Sequence, residues 1–541
     1  MKSESNPPKQ RKTGLRRQDL IRWGALMLLG LIFQSTAWAA IPPVDQPNII
    51  VFLVDDLGWQ DTSVAFSGEE TAFQKHYRTP HLKQLANRGV TLTNAYAHCV
   101  CSPTRTSILT GQNPARHRVT NWTLYSDRDQ SGKTQNIAAP TNWRKQGLQP
   151  ENQTLPQLLK TIGYYTIHCG KAHWGAINTP GSNPENLGFD KNIAGHSAGA
   201  PGSYQGIDNF GNHEDGSPNP PWGVPDLEKY YGTATHLTDA LAMEVTAALD
   251  VAIDSGKPFF LYMAPYAVHT PIQAHPRFID NYRGQKYSGS EIPIPEEEAC
   301  YASMVEGYDA ALGTLMAKVR DANIADKTLI LFTSDNGGLS VLGRNTTPRG
   351  TGKNTHNWPL REGKGSAYEG GTRVPAILSW ATPDRGSRLQ QRIPIVGGST
   401  CNTQFISEDI FPTVCQWAGF DIANATGNVI DGVAITEYLS ATQKQTQRSL
   451  LFHYPHVWGP QGEGYQPHSA LRYGNWKVIY FYGPQRWELY HLEQDIGEAQ
   501  DLALTEPTQL AAMQSRLIKE LKNHGAQFPV DIQTGKARLP Q

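Results

Sequence analysis

Four short apolar runs recur along the chain, and each stops at a cluster of polar residues. Ile49–Val54 ends in Asp55-Asp56, Tyr164–Cys169 runs into Gly170-Lys171, Phe259–Ala264 leads toward His269, and Thr328–Thr333 ends in Ser334-Asp335-Asn336-Gly337-Gly338. Unbroken runs of this length are what strands buried on both faces of a parallel sheet require. Between them, Thr154–Thr161, Ala240–Ile253 and Tyr301–Asp321 carry apolar residues at three- and four-residue spacing, the helical period. The alternation predicts an α/β fold. In open α/β sheets ligands gather at the carboxyl ends of the strands, so the polar residues closing these runs are the first candidates for a site.

Two insertions, about Gly175–Tyr231 and Ser340–Arg361, are rich in Gly, Pro and Asn and too long for simple connectors, so they are expected to wall a cleft. Around Asp421–Gln447 the rhythm stops. Strand patterns follow at Ser449–Tyr454, at Ser469–Tyr482 with a turn at Tyr473-Gly474-Asn475, and at Trp487–Leu492. A helix over Pro507–Asn523 places Leu510, Met513, Leu517, Ile518 and Leu521 on one face, with Gly525 to close it. The expected layout is a catalytic domain over residues 40–435 and a smaller antiparallel α+β domain over 436–541.

Charges nearly cancel, at 48 Lys+Arg against 49 Asp+Glu, but Met1–Ala39 holds seven basic and two acidic residues and leaves the remainder at −6. A mildly acidic body has no general attraction to nucleic acid, so an anionic substrate has to be gripped by a local cluster of cations. The basic start up to Arg22, the apolar stretch Trp23–Phe33 and Ala37-Trp38-Ala39 read as an export signal cleaved after Ala39. The apolar stretch falls short of the ~20 residues that span a bilayer, which favours cleavage over a membrane anchor and places the protein in the periplasm or outside the cell. Six cysteines are too few for a disulfide scaffold and give no paired C-x-x-C zinc pattern; Cys300, Cys401 and Cys415 read equally as buried thiols or disulfide partners.

Cys101-Ser102-Pro103-Thr104-Arg105 has the marks of a helix start, with Ser102 suited to the N-cap and Pro103 to the first helical position. Cys101 would then sit at the positive end of the helix dipole with Arg105 one turn on, where negative charge is stabilised; the plain alternative is a buried thiol ahead of an ordinary helix. Continued through Thr106-Ser107-Ile108-Leu109-Thr110-Gly111, the segment resembles the signature of the type I sulfatases, C-x-P-x-R followed by a short spacer and L-T-G. The resemblance implies an alkaline-phosphatase-like sandwich, with a large mixed, mostly parallel central sheet flanked by helices. It also implies that a maturation enzyme converts Cys101 to formylglycine. In that family the aldehyde hydrates to a gem-diol, one oxygen attacks the sulfur of a sulfate ester, and deprotonation of the other collapses the hemiacetal and expels sulfate. Cys99 stands where the family usually has a small residue.

Asp55-Asp56 alone reads as a turn or a helix cap. With Asp335-Asn336 it gives four oxygen-bearing side chains and three negative charges, a set suited to Ca²⁺ or Mg²⁺ far better than to zinc. The resemblance assigns the metal to these same four positions. Gly170-Lys171-Ala172-His173 resembles a second signature of the family, whose Lys binds sulfate and nucleophile oxygens and whose His deprotonates the gem-diol. His269-Thr270-Pro271 resembles the family's H-x-P, and Gly363-Lys364-Gly365 its G-K-G; either His269 or Lys364 would protonate the leaving alcohol. Glu369-Gly370-Gly371-Thr372-Arg373-Val374-Pro375 resembles the family's E-G-G-x-R-x-P element, and Arg373 reads as structural or as a support for the site.

Similarity to bacterial carbohydrate sulfatases points to a sulfated polysaccharide or glycosaminoglycan, with galactose or N-acetylgalactosamine sulfate as the expected sugar. His196, in the Ala194–Pro201 stretch, with Tyr204 and Asp208, is expected to line the sugar pocket, and His468 and Arg472 to enter it from the second domain. Two other functions fit less of the pattern. A phosphate or phosphonate ester hydrolase of the same superfamily usually carries Ser or Thr as nucleophile, and a sugar-binding protein with an unmodified cysteine would not need every polar position filled.

Overall fold

The computed structural model describes Met1 and residues 45–67, 70–71, 74–132, 134, 136–339, 357–422, 428–439, 447–458 and 462–541. Residues 2–39 of the export segment expected over 1–39, and most of the Ser340–Arg361 insertion, lie outside these.

All four apolar runs are strands of one sheet, as Asn48–Val54, Tyr165–Gly170, Phe259–Ala264 and Thr328–Ser334. From edge to edge the sheet reads Ser399–Cys401, Val90–Leu92, Ala376–Trp380, Thr328–Ser334, Asn48–Val54, Phe259–Ala264, Tyr165–Gly170 and Lys191–Ile193. Every pairing is parallel except the two made by Ala376–Trp380. The sheet is therefore mixed and mostly parallel, as the resemblance to the sulfatases implies. Asn48–Val54 is wholly buried because its side chains alternate between two cores: Ile50, Phe52 and Val54 pack under Leu237–Asp254 and Glu296–Asp321, while Ile49, Val51 and Leu53 face the layer of Cys101–Thr110 and Ile410–Ala418. That two-sided burial is why these strands carry no polar alternation.

The C-terminal strands Ser449–Tyr454, His468–Tyr473, Trp476–Phe481 and Arg486–His491 form an antiparallel sheet in sequential order. Helix Pro507–Asn523 covers it with Met513, Leu517 and Leu521, packed on Leu451, Leu471, Val478 and Leu489. Residues Gln46–Gln541 make one compact unit. All six cysteines are free thiols. Among the described residues, no helix is long and apolar enough to cross a membrane.

The helix that begins at Cys101 starts two residues earlier than its sequence suggests. Extended Val100 (φ −141°, ψ 161°) precedes it, and Cys101, Ser102 and Pro103 all lie in the first turn. Ser102 is not a cap because its hydroxyl is used elsewhere, donating to the His173 carbonyl at 3.0 Å and accepting from the Thr123 amide at 3.2 Å. Gly111, at φ 67°, ends the helix in the left-handed conformation.

Candidate active site

Strand register brings the acidic pairs together. Val54 lies beside Ser334 in neighbouring parallel strands, so Asp55-Asp56 and Asp335-Asn336 leave the sheet side by side. The Asp56 amide donates to Asp335 Oδ1 at 3.2 Å, and Asn336 Nδ2 donates to Asp56 Oδ1 at 2.8 Å. Asp56 turns through φ 56° and His173 through φ 59°, conformations that redirect the chain just beyond the strand ends.

Around these acids stand the cations. Lys171 Nζ lies 2.6 Å from Asp55 Oδ2, and Lys364 Nζ lies 2.6 Å from Asp56 Oδ1. Arg105 reaches down from its helix to Asp335 Oδ2, at 2.9 Å from Nε and 2.8 Å from Nη2, and its Nη1 donates to the Lys171 carbonyl at 2.7 Å. Arg105 is fully buried. It holds Asp335 and the Lys171 backbone at once.

Cys101 Sγ is 3.4 Å from His173 Nδ1. The other ring nitrogen, Nε2, is 2.8 Å from the Thr123 carbonyl. A carbonyl only accepts, so Nε2 carries the hydrogen and Nδ1 turns its lone pair to residue 101. Burial, with Lys171 and Arg105 close by, holds the His173 imidazole well below its usual pKa. By the same logic His269 Nδ1, at 2.9 Å from the Thr270 carbonyl, carries the hydrogen, and its Nε2 lone pair faces Asp56 Oδ2 at 3.7 Å. Burial and then Lys364 push His269 down to about 3. The Cys101 thiol is pushed up by burial, with Lys171 and Lys364 opposing.

Three buried side-chain oxygens here, Asp55 Oδ1, Asp56 Oδ2 and Asn336 Oδ1, have no hydrogen-bond partner. Asp55, Asp56 and His269 also offer ligand atoms within 4.8 Å of one another. Burial and the neighbouring Asp335 push the Asp55 carboxyl up, to about 8, which is the electrostatic cost of crowding carboxylates away from water. An oxygen-rich set with orphaned acceptors fits a hard divalent cation.

These groups open into a cleft of about 480 Å³ whose floor holds Cys101, His173, His269 and Lys364. Its walls include Trp122, Ser131, Gly199, Trp222, Val457 and Trp458. The 175–231 insertion supplies Gly199 and Trp222, as expected of a wall. Most wall residues escape sequence reasoning; the only signal they carry is three tryptophans in segments without periodic structure.

The residues expected to read the sugar are placed differently. Tyr204 is fully buried, and its hydroxyl donates to the Tyr266 and His269 carbonyls at 2.6 and 2.9 Å, so it props the His269 loop from behind. His468 is buried between Tyr454 and Phe481 with Nδ1 2.8 Å from the Gln466 carbonyl. Arg472 lies against the Tyr96 ring and hydroxyl and donates to Asn94 Oδ1 at 3.1 Å, well inside the fold. Asp208 is exposed and accepts from the Ser203 hydroxyl at 2.8 Å. His196 packs near Tyr266, and its carbonyl accepts the His173 amide at 3.1 Å. None of the five lines the cleft. Arg373 donates to the Thr93 carbonyl and lies over the Trp59 ring, a supporting place.

Comparison with known proteins gives the same picture. The family model described as Sulfatase matches residues 47–420, and the one described as N-sulphoglucosamine sulphohydrolase, C-terminal, matches 366–527. A protein named Sulfatase from Formosa agariphila is 27% identical over 91% of both chains. N-acetylgalactosamine-6-sulfatase of Canis lupus familiaris is 27% identical over 94% of this chain and 86% of its own. The crystal structure of Ps i-CgsB in complex with k-i-k-neocarrahexaose superposes with a TM-score of 0.67 at 26% identity, covering 89% of this chain and 95% of that one.

Proposed function

The chain belongs to the sulfatase family of sulfuric ester hydrolases, and we propose that it removes sulfate from a carbohydrate ester after Cys101 is converted to formylglycine. The substrate class is a galactose or N-acetylgalactosamine sulfate within a sulfated polysaccharide or glycosaminoglycan. One relative named for N-acetylgalactosamine and one solved with a bound oligosaccharide support that class. Export by the N-terminal segment, to the periplasm or beyond, suits a polymeric substrate.

Formylglycine at position 101 would supply the nucleophilic oxygen. Asp55, Asp56, Asp335 and Asn336 would hold Ca²⁺ or Mg²⁺, which would supply Lewis-acid chemistry. His173, neutral and with Nδ1 directed at residue 101, is the base on the nucleophile side. Lys171 and Lys364 flank the acids and bind the sulfate oxygens. Of the two candidates for proton donor to the leaving alcohol, Lys364 carries protons toward the site, whereas His269 presents a lone pair. Arg105 holds Asp335 and the Lys171 backbone in register.

The observation that carries this reading is the 3.4 Å approach of Cys101 Sγ to a buried, neutral His173 beside three orphaned acidic-site oxygens. The test is peptide mass spectrometry across Cys101 on protein from its natural source or from a host with a formylglycine-generating enzyme. It is paired with sulfate and phosphate release from matched esters. An aldehyde at position 101 and preferential sulfate release are expected; an unmodified thiol in active native protein, or faster phosphate release, refutes the proposal.

A further inference from the structure

Ser131 stands part-exposed on the cleft wall, fixed by a buried polar network separate from the sulfate-binding groups. Its Oγ is 2.6 Å from His456 Nδ1 and 3.1 Å from Asn121 Nδ2, and its amide donates to Asp129 Oδ1 at 2.8 Å. Behind it, His456 Nε2 lies 2.7 Å from Thr120 Oγ1. Trp143 sets its ring edge-on to the imidazole at 5.1 Å and donates Nε1 to Asp129 Oδ2 at 3.0 Å. Asn121 Oδ1 accepts from the Trp122 amide at 2.9 Å and from the Tyr454 hydroxyl at 3.0 Å.

Thr120, Asn121 and His456 are each at most 1% exposed. Burying polar groups is costly unless they satisfy one another, and here they do so around a single hydroxyl at the cleft surface. A loop serine that merely faced water would need none of this support. A serine hydroxyl has one hydrogen and two lone pairs. The Asn121 amide uses one lone pair. Burial keeps the His456 imidazole neutral, pushed down to about 3, so its Nδ1 exchanges one further hydrogen bond with Oγ. One hydrogen-bonding position of Ser131 is left for a group in the cleft. Trp122, whose amide the same Asn121 holds, is set beside it.

We propose that Ser131 reads a hydroxyl of the leaving sugar and that Trp122 is the face on which the pyranose ring stacks. The proposal rests on the sulfatase reading above and names how that site recognises its alcohol. A sugar hydroxyl both donates and accepts, so it satisfies Ser131 in either tautomer of His456. Aromatic faces suit the apolar side of a pyranose. Asn121 and His456 are positioning residues, since they act through Ser131 and Trp122.

The experiment measures kcat/KM on N-acetylgalactosamine 6-sulfate and galactose 6-sulfate against 4-nitrophenyl sulfate, whose leaving group has no further hydroxyl. In Ser131→Ala the ratio of saccharide to aryl kcat/KM falls about tenfold or more, because a site built for a hydroxyl is left with an unmet partner. Ser131→Thr keeps a hydroxyl and restores the ratio to within about threefold of wild type, and His456→Gln lowers it in the direction of Ser131→Ala. An unchanged ratio in Ser131→Ala, with wild-type protein active on both substrate types, overturns the subsite alone. Wild-type protein that releases sulfate from neither type overturns the functional reading on which it rests.

Discussion

Gly199 leaves no room for a side chain beside the imidazole that faces Cys101, and the substitution Gly199→Ala tests whether that imidazole's position matters. A Cβ at 199 would lie 2.4 Å from His173 Cε1, 2.7 Å from Nδ1 and 2.9 Å from Nε2. Comfortable carbon contact needs about 3.5 Å, so ring and methyl have to part by about 1 Å. The ring has no slack: Thr123 holds Nε2 from one side and residue 101 lies at Nδ1 on the other. A misplacement of about 1 Å at a reacting group costs on the order of 10²-fold in rate, or about 2.7 kcal/mol of transition-state stabilisation. Overpacking of this kind costs about 1–3 kcal/mol in stability, so the variant still folds. The assay is steady-state sulfate release with kcat and KM separated, alongside urea unfolding. The expected result is a large fall in kcat on every sulfate ester tested, aryl or saccharide. A folded Gly199→Ala protein with kcat within threefold of wild type refutes the assignment of His173 as the base.

Three further outcomes follow from the buried charges. Lys477 Nζ lies 2.9 Å from Glu369 and 2.9 Å from Glu498, with all three side chains fully buried. Lys477→Met leaves the buried Glu369 carboxylate without its cation and lowers stability by about 3–5 kcal/mol in denaturant unfolding; a loss under about 1 kcal/mol speaks against an ionised Lys477–Glu369 pair. Burial, reinforced by Glu369 against the pull of Lys477, raises Glu498 from 4.5 to about 7. The folded chain therefore keeps a proton that the unfolded chain releases, so this group's contribution to stability is full below pH 4.5 and lost as pH rises toward about 7. Glu498→Gln flattens that window in a pH series of melting curves, and a variant with the wild-type slope excludes the group as its source. Ca²⁺ or Mg²⁺ at a hundredfold excess over its Kd stabilises the fold by about 2.7 kcal/mol, read as a rise in melting temperature that a chelator reverses. Asp56→Asn abolishes the rise; an equal rise in both proteins places the ion elsewhere.

The sequence by itself determined the four central apolar strands of the eight-stranded sheet, the C-terminal strands, the order of the chemistry along them and the family. Unbroken apolar runs such as Ile49–Val54 encode two-sided burial locally, and the polar residues that end them are placed by strand register, so the grouping of Asp55, Asp56, Asp335, Asn336 and Lys171 at neighbouring strand ends was legible before any contact was known. Helix Pro507–Asn523 was legible for the same reason, since its apolar face is a property of spacing alone. What only the tertiary structure decided lies between segments far apart in the chain. Ser102 looked like a cap until the His173 carbonyl and the Thr123 amide claimed its hydroxyl. Tyr204 is expected in the sugar pocket from its resemblance to sulfatase loops, and His468 and Arg472 from the second domain, yet each is buried against partners that no local pattern announces. The cleft walls came instead from Trp122, Ser131, Trp222 and Trp458, whose surroundings are irregular backbone with no period to read. Periodicity reports which face of an element is buried; which side chain from another segment meets it is settled by packing, and a binding surface is made of such meetings.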